Sequence, residues 1–350
     1  MAALDAIYVP ELTQAELLGL QSCFLEVVKA GYRAPALITY SLAGRLVSLG
    51  RYHLYDGVQE REGIEVYRRL TGGRIAGSGQ GWFGCALILP SRDSLLPPKT
   101  AGSLKPEQVI NRYVRGVLIG LGKLGLDCFY PGRDAITVKR REVGICSFEI
   151  DSSGALLFET ILSVNRGLED LVHDLERLDP DGALTCPMYD TESATTLARE
   201  LGRDVDGGEL ASVIEAGYAA LFGDVRRREL TSDERFQARH RGAELAASQW
   251  LTARKRDPSL GLVGRERIQL GFAEAYLALN AAGEIDRVMM AGDFIANSAG
   301  LAEFEREVQG KRLDLMNVSA AAAKIYGNGA NYILGLGDLT NLCRIIMKAS

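Results

Sequence analysis

The 350-residue sequence holds only three histidines (His53, His173 and His240) and six cysteines, no two of which form a Cys-x-x-Cys pair. Zinc and other soft-metal sites need clustered thiolates or imidazoles, so no structural zinc is expected. Cys23, Cys85, Cys128, Cys146, Cys186 and Cys343 lie scattered along the chain. With the exception of Cys128, they read as small core hydrophobes. Positive charge is in deficit as well: 40 Lys and Arg stand against 45 Asp and Glu, a net charge of −5. That balance argues against a nucleic-acid partner. No apolar run approaches the ~20 residues needed to span a bilayer, and no basic-then-apolar leader opens the chain, so the expectation is no membrane contact and a cytoplasmic location.

What the sequence does have is ample core material. With 47% apolar and 24% charged residues over 350 positions, it can bury a large core and is expected to divide into two domains. Thr13 and Glu16 form a capping box ahead of Leu17, Leu20, Phe24 and Val27 at helical spacing. Strand-like runs follow at Ala36 to Leu42, Glu65 to Arg68 and Cys85 to Leu89. Pro106 opens a second helix whose apolar stripe is Val109, Tyr113, Val117, Leu121 and Leu124. Three β-type segments come next: Ala135 to Val138, Val143 to Ile150 and Ala155 to Val164. Another amphipathic helix runs from Glu209 to Phe222 and stops at Gly223. The charge-rich stretch from Arg226 to Pro258 reads as a solvated connector and a domain boundary. Beyond it, Ile268 to Leu279 and Ile285 to Ala291 flank a turn at Ala282-Gly283 as a β-hairpin, followed by a helix bearing Leu301, Phe304 and Val308. Segregated helices and strands of this kind point to an α+β architecture rather than a doubly wound sheet.

The densest local signal is Val47-Ser-Leu-Gly-Arg-Tyr52 followed by Gly63-Ile-Glu-Val-Tyr-Arg-Arg-Leu-Thr-Gly-Gly73. A strand that runs into Arg68 and Arg69 and then a Thr71-Gly72-Gly73 turn gathers backbone N–H groups and two cations at one point, an arrangement suited to a phosphate or acyl-phosphate. The glycine-rich run continues through Arg74, Gly77, Ser78, Gly79 and Gly81.

These residues resemble the motifs of the lipoate–protein ligase family, within the biotin/lipoate protein ligase superfamily. Gly283-Glu-Ile285, Gly292-Asp-Phe-Ile295 and Leu301 to Gly310 resemble the hairpin, strand end and helix of the family's small C-terminal domain. The resemblance implies a ligase-like catalytic domain over residues 1–250 and an α+β accessory domain over 265–350. It also implies ATP and Mg2+ as cofactors, lipoate or octanoate as substrate, and a lipoyl-domain protein as the acceptor partner.

The sequence departs from the family where the chemistry belongs. Family members place a lysine after a strand, beside the developing charge on carboxylate and phosphate. Ungapped counting from the strand ending in Thr160 puts Glu142 at that position, a reversal of charge. Asp134 stands at the family's Asn and Ala135 at its Asp. Arg74 replaces a glycine and Ser78-Gly79 replaces a His-Asp pair. Arg74 is either a plain exposed substitution or a replacement for the cation lost at Glu142. Lys139, Arg140 and Arg141, in the turn before Glu142, either are solvated or could bring a cation into the pocket. Cys128 stands where the octanoyltransferase branch carries an acyl-accepting cysteine, or is structural. Three functions therefore compete: an ATP-dependent ligase with a rearranged site, an ATP-independent transferase acting through Cys128, and a non-catalytic homologue that binds a lipoyl domain or an acyl ligand.

Overall fold

The computed structural model describes residues 3–55, 63–95, 104–178, 191–247, 249–327 and 329–349. β1 (Leu4–Leu12) leads into the expected capping box. The Thr13 hydroxyl accepts from the Glu16 N–H, and the Glu16 carboxylate accepts from the Thr13 N–H. The helix it starts, α1 (Gln14–Lys29), buries Leu17, Leu20, Phe24 and Val28. The chain continues through β2 (Ala36–Leu42), β3 (Arg45–Leu49), β4 (Glu65–Arg68), β5 (Ala76–Gly79) and β6 (Trp82–Leu89). Pro106 occupies the first turn of α2 (Pro106–Gly122), where its missing N–H leaves no helical bond unmade. Then come β7 (Cys128–Phe129), β8 (Ala135–Val138), β9 (Arg141–Ile150) and β10 (Leu156–Ser163). They are followed by α3 (Leu168–Leu178), α4 (Leu197–Leu201) and α5 (Gly207–Phe222), the last stopping at Gly223 as expected.

The charged stretch after Gly223 overturns the connector expectation. It begins with β11 (Val225–Arg227), parallel to β1, and continues into α6 (Ser232–Ala247), laid along α1. Its charges are used internally. Asp5 accepts from Arg226 and Arg228, and both Glu234 oxygens accept from Arg228 at 2.8 Å. The helix pair meets backbone to backbone: a β-carbon on Gly19 would lie 1.9 Å from the Ala238 carbonyl oxygen, and one on Gly242 would lie 2.2 Å from that of Ala15.

The remaining elements are β12 (Leu262–Arg267), β13 (Phe272–Leu279), β14 (Ile285–Gly292), β15 (Ile295–Ala296), α7 (Ser298–Glu307), α8 (Leu315–Tyr326), β16 (Ile333–Leu334) and α9 (Leu339–Met347). The expected hairpin is present, with its first strand starting at Phe272 rather than Ile268.

Eight strands form the main sheet, in the order β11-β1-β2-β6-β10-β9-β8-β7, parallel among the first three and antiparallel after that. Alternation along β6 sends Cys85, Leu87 and Leu89 into the core with α2 and α5, and Ala86 and Ile88 into the core with α1. A smaller sheet, β4-β3-β5, is roofed by Leu168, Leu171 and Leu175 of α3. Helices α7, α8 and α9 build a further core on β13 and β14, into which Tyr52 inserts from the front of the chain. The architecture is α+β, as expected. Among the described residues no helix is long and apolar enough to cross a membrane. Cys23, Cys85, Cys128, Cys146 and Cys343 are free thiols, and Cys186 lies outside the described residues.

Candidate functional site

The glycine turn is held from two sides. A β-carbon on Gly72 would sit 2.5 Å from the Phe294 carbonyl oxygen. Gly73 has φ +83°, and its N–H donates to that same carbonyl at 2.8 Å. Glycine is thus required here by the approach of the C-terminal segment, and the Gly73 amide is already engaged.

The two arginines depart from the expectation of ligand-facing cations. Arg68 and Arg69 are each 1% exposed. Arg68 donates through Nη1 to the carbonyls of Gly50, Arg51 and His53, and through Nε to that of Leu251. Arg69 donates to the carbonyls of Ser48, Gly72 and Arg74 and lies 4.0 Å from Glu159. Apart from Ser48 on β3 and Leu251 in a single 3-10 turn, these carbonyls belong to irregular backbone, and the guanidinium forks satisfy them. Burial, with Arg254 and Arg51 nearby, pushes the Arg68 guanidinium down to about 9. Thr71 donates to Glu159 at 2.8 Å, and Glu159 also accepts from Gln21 and Tyr40. Ser78 is buried on β5 with its hydroxyl 3.2 Å from that of Tyr67.

Across from this turn, Arg74 reaches out to the β8–β9 hairpin. It donates to Asp134 at 2.7 Å and to Glu142 at 2.9 Å. Arg74 is therefore engaged by the two carboxylates of the hairpin rather than left as a cation for a ligand. Burial pushes the Glu142 carboxyl up, against the pull of Arg74, and the Asp134 charge adds to the rise. At this point of the lining the charge of Arg74 is already spent on Asp134 and Glu142.

Behind Glu142 is a crevice between β5, β6, β9, β10 and α3, lined by Gly77, Trp82, Val143, Gly144, Ile161 and Leu168, among others. Its free volume is only about 20 Å³, room for roughly one water. The indole of Trp82 takes up the space: a β-carbon on Gly77 would lie 2.2 Å from the ring. In front of Glu142 an open cavity of about 590 Å³ is lined by Arg74, Phe129, Arg133, Asp134, Arg140 and Glu142, with other residues.

Lys139 and Arg141 do not turn into this site. Both pair with Glu200, Lys139 at 3.2 Å. Cys128, on β7, is half-buried, and its thiol is pushed up to about 12 by burial, Asp127 and Glu200. A thiolate nucleophile needs the opposite shift.

Sequence reasoning missed two constituents of this region. One is Trp82, marked in the sequence only as a tryptophan inside a glycine-rich run. The other is Glu159, the acidic partner of Thr71 and Arg69, which no local motif flags. Buried contacts at the joint with the C-terminal segment were also not foreseen. His53 Nε2 lies 2.7 Å from Asp293, Tyr52 stacks on Phe294 with 4.9 Å between centroids, and Tyr52 donates to the Ala296 carbonyl at 2.7 Å. Among the described residues no group of three or more His, Cys, Asp or Glu is placed to hold a metal ion. With Asp134 already engaged by Arg74, the residues present fit Mg2+–ATP poorly.

No protein-family model matches the sequence, and no curated protein does. Solved structures do match. LipL1 of P. falciparum, crystallised with lipoate, superposes with a TM-score of 0.68 at 11% identity over 98% of each chain. The bi-partite lipoate protein ligase of Thermoplasma acidophilum, studied with its E2 lipoyl domain, gives 0.55 at 17% identity over 73% of this chain and 98% of that one. A lipoate-protein ligase A bound with ATP gives 0.55 at 17% identity, over 72% of this chain and 98% of that one. The chain has the fold of the lipoate-protein ligases.

Proposed function

We propose that this protein is a divergent lipoate–protein ligase homologue that engages a lipoyl-domain protein without itself joining lipoate or octanoate to AMP. The observation that carries this reading is the filled crevice behind Glu142. Trp82 packs against Gly77 and leaves the crevice about 20 Å³, too little for an acyl chain, and Arg74 is committed to Asp134 and Glu142 at its mouth. Acyl activation needs a cation held against the growing charge on carboxylate and phosphate, and Arg74, at the mouth of the crevice, is already paired. A lipoyl domain as partner is proposed from the T. acidophilum ligase and its E2 lipoyl domain. In this reading residues 1–250 form the recognition domain, residues 265–350 the accessory domain that braces the glycine turn, and the protein works in the cytoplasm. Transfer through Cys128 is disfavoured by its raised thiol.

A second reading, an ATP-dependent ligase, is favoured by the match over 98% of the chain to a protein crystallised with lipoate. In that reading lipoate or octanoate enters after Trp82 swings out, and Arg74, released from Glu142, would face the carboxylate; Mg2+ would have to be brought in with ATP. The deciding measurement is pyrophosphate release from ATP with lipoate or octanoate, run beside calorimetric titration of an apo lipoyl domain. Binding of the domain with no pyrophosphate above background is the expected result. Pyrophosphate release with turnover would overturn it in favour of the ligase.

A further inference from the structure

The β8–β9 hairpin ends in a two-residue turn, Lys139–Arg140, with φ of +49° and +69°. Turns with both central residues in the left-handed region strongly favour Asn-Gly or Asp-Gly, so two long cations are a strained choice. Lys139 and Arg141 share Glu200. The side chains of Arg140 and Arg133 are exposed and make no ion pair among the described residues. Phe129 stands beside them, 65% exposed, and all three line the open 590 Å³ cavity above Arg74. The cavity lining sets Arg74, Arg133 and Arg140 against Asp134 and Glu142. With Arg74 paired to both carboxylates, Arg133 and Arg140 are left, among the described residues, as unpaired cations beside an exposed aromatic in a chain of net charge −5.

We infer that this hairpin face docks an acidic segment of a partner protein, with carboxylates on Arg133 and Arg140 and an apolar side chain against Phe129. Charge complementarity selects the occupant: arginines kept free beside a paired site attract an acidic surface and steer its approach. Arginine and aromatic residues together are also the composition of interface hot spots. An inorganic anion would leave Phe129 without a role. Identifying the partner as a lipoyl domain rests on the function proposed above, whereas its acidity rests on the hairpin alone.

The test compares the wild-type chain with the double variant Arg133→Glu/Arg140→Glu, whose exposed sites leave the core untouched and whose melting curve confirms folding. Two probes are titrated, an apo lipoyl domain and a fluorescein-labelled Glu-Glu-Phe-Glu-Glu peptide, each at low and high salt. The expected result is binding to the wild type that weakens with salt and falls about 10-fold or more in the variant. Equal binding of the domain to both proteins places docking elsewhere and overturns the inference while leaving the lipoyl-domain reading intact. Binding of the peptide to the wild type alone, with no domain binding, supports the acidic dock and removes the lipoyl domain as its partner. Failure of both probes on the wild type overturns both. Displacement of the peptide by inorganic pyrophosphate at matched ionic strength marks a small-anion site and also overturns the inference.

Discussion

The glycine turn at 68–74 and the hairpin at 134–142 meet through Arg74, yet they have opposite characters. The turn resembles the lipoate–protein ligase motif and is buried, with its arginines bound to backbone carbonyls and its glycines pressed against Phe294. The hairpin departs from the motif and carries the open cavity, the acidic pair and the exposed arginines. The difference teaches that motif agreement here tracks what holds the backbone together. Chemistry is read at positions where the motif is broken.

The largest expected effect lies on the buried side. Arg69→Ala strips donors from three carbonyls and leaves Glu159 without its cation, so a loss of about 3–5 kcal/mol is expected in urea unfolding. A variant that keeps its stability but loses ligand affinity would reverse the comparison and make the turn the binding element.

A middle-sized effect tests the hairpin. Glu142→Lys sets a cation beside Arg74 and should lower stability by roughly 1–2 kcal/mol, discounted because the side chain is partly solvated. Pyrophosphate release should stay at background in this variant and rise only when Trp82→Ala opens the crevice as well. Release from Glu142→Lys alone would mean that the missing cation, and not the filled crevice, is what silences the site.

The smallest effect comes from Glu149, on β9 at the joint with the C-terminal segment. Its carboxylate accepts from the Ser298 N–H at 3.0 Å, and burial pushes its carboxyl above 4.5 despite the pull of Arg51. The folded protein therefore holds that proton more tightly than the unfolded chain. This contribution is fully present below pH 4.5 and is lost as pH rises through the folded value. Melting temperatures across that window should fall less steeply for Glu149→Gln than for the wild type. Parallel slopes would show that Glu142 or another carboxyl carries the titration.

Much of the fold was legible because local rules and burial agreed. Thr13 with Glu16, Pro106 and Gly223 each mark a helix end, and the apolar stripes follow at the right period. The α1–α6 contact was not legible, because its closest approach is made by Gly19, Ala238 and Gly242, small residues that let backbones touch, and its rim by ion pairs such as Arg239 with Glu16, so that α6 carries no hydrophobic stripe. The candidate site was legible at Glu142 as a reversal of charge. What the sequence concealed was the partner of that charge and the indole behind it, since Arg74 and Asp134 lie 60 residues apart and only the fold brings them together.

The pairing of Leu4 with Val225 has a consequence for biosynthesis. β1 is an inner strand, but its outer neighbour is encoded more than two hundred residues later. Until that part of the chain leaves the ribosome, the sheet presents a bare edge of unpaired N–H and C=O groups, open to strands of other nascent chains. Such long-range parallel pairing forms slowly. Truncation before residue 225 should accordingly yield aggregates that nucleate at the first strand, although most of the interior is already encoded by then.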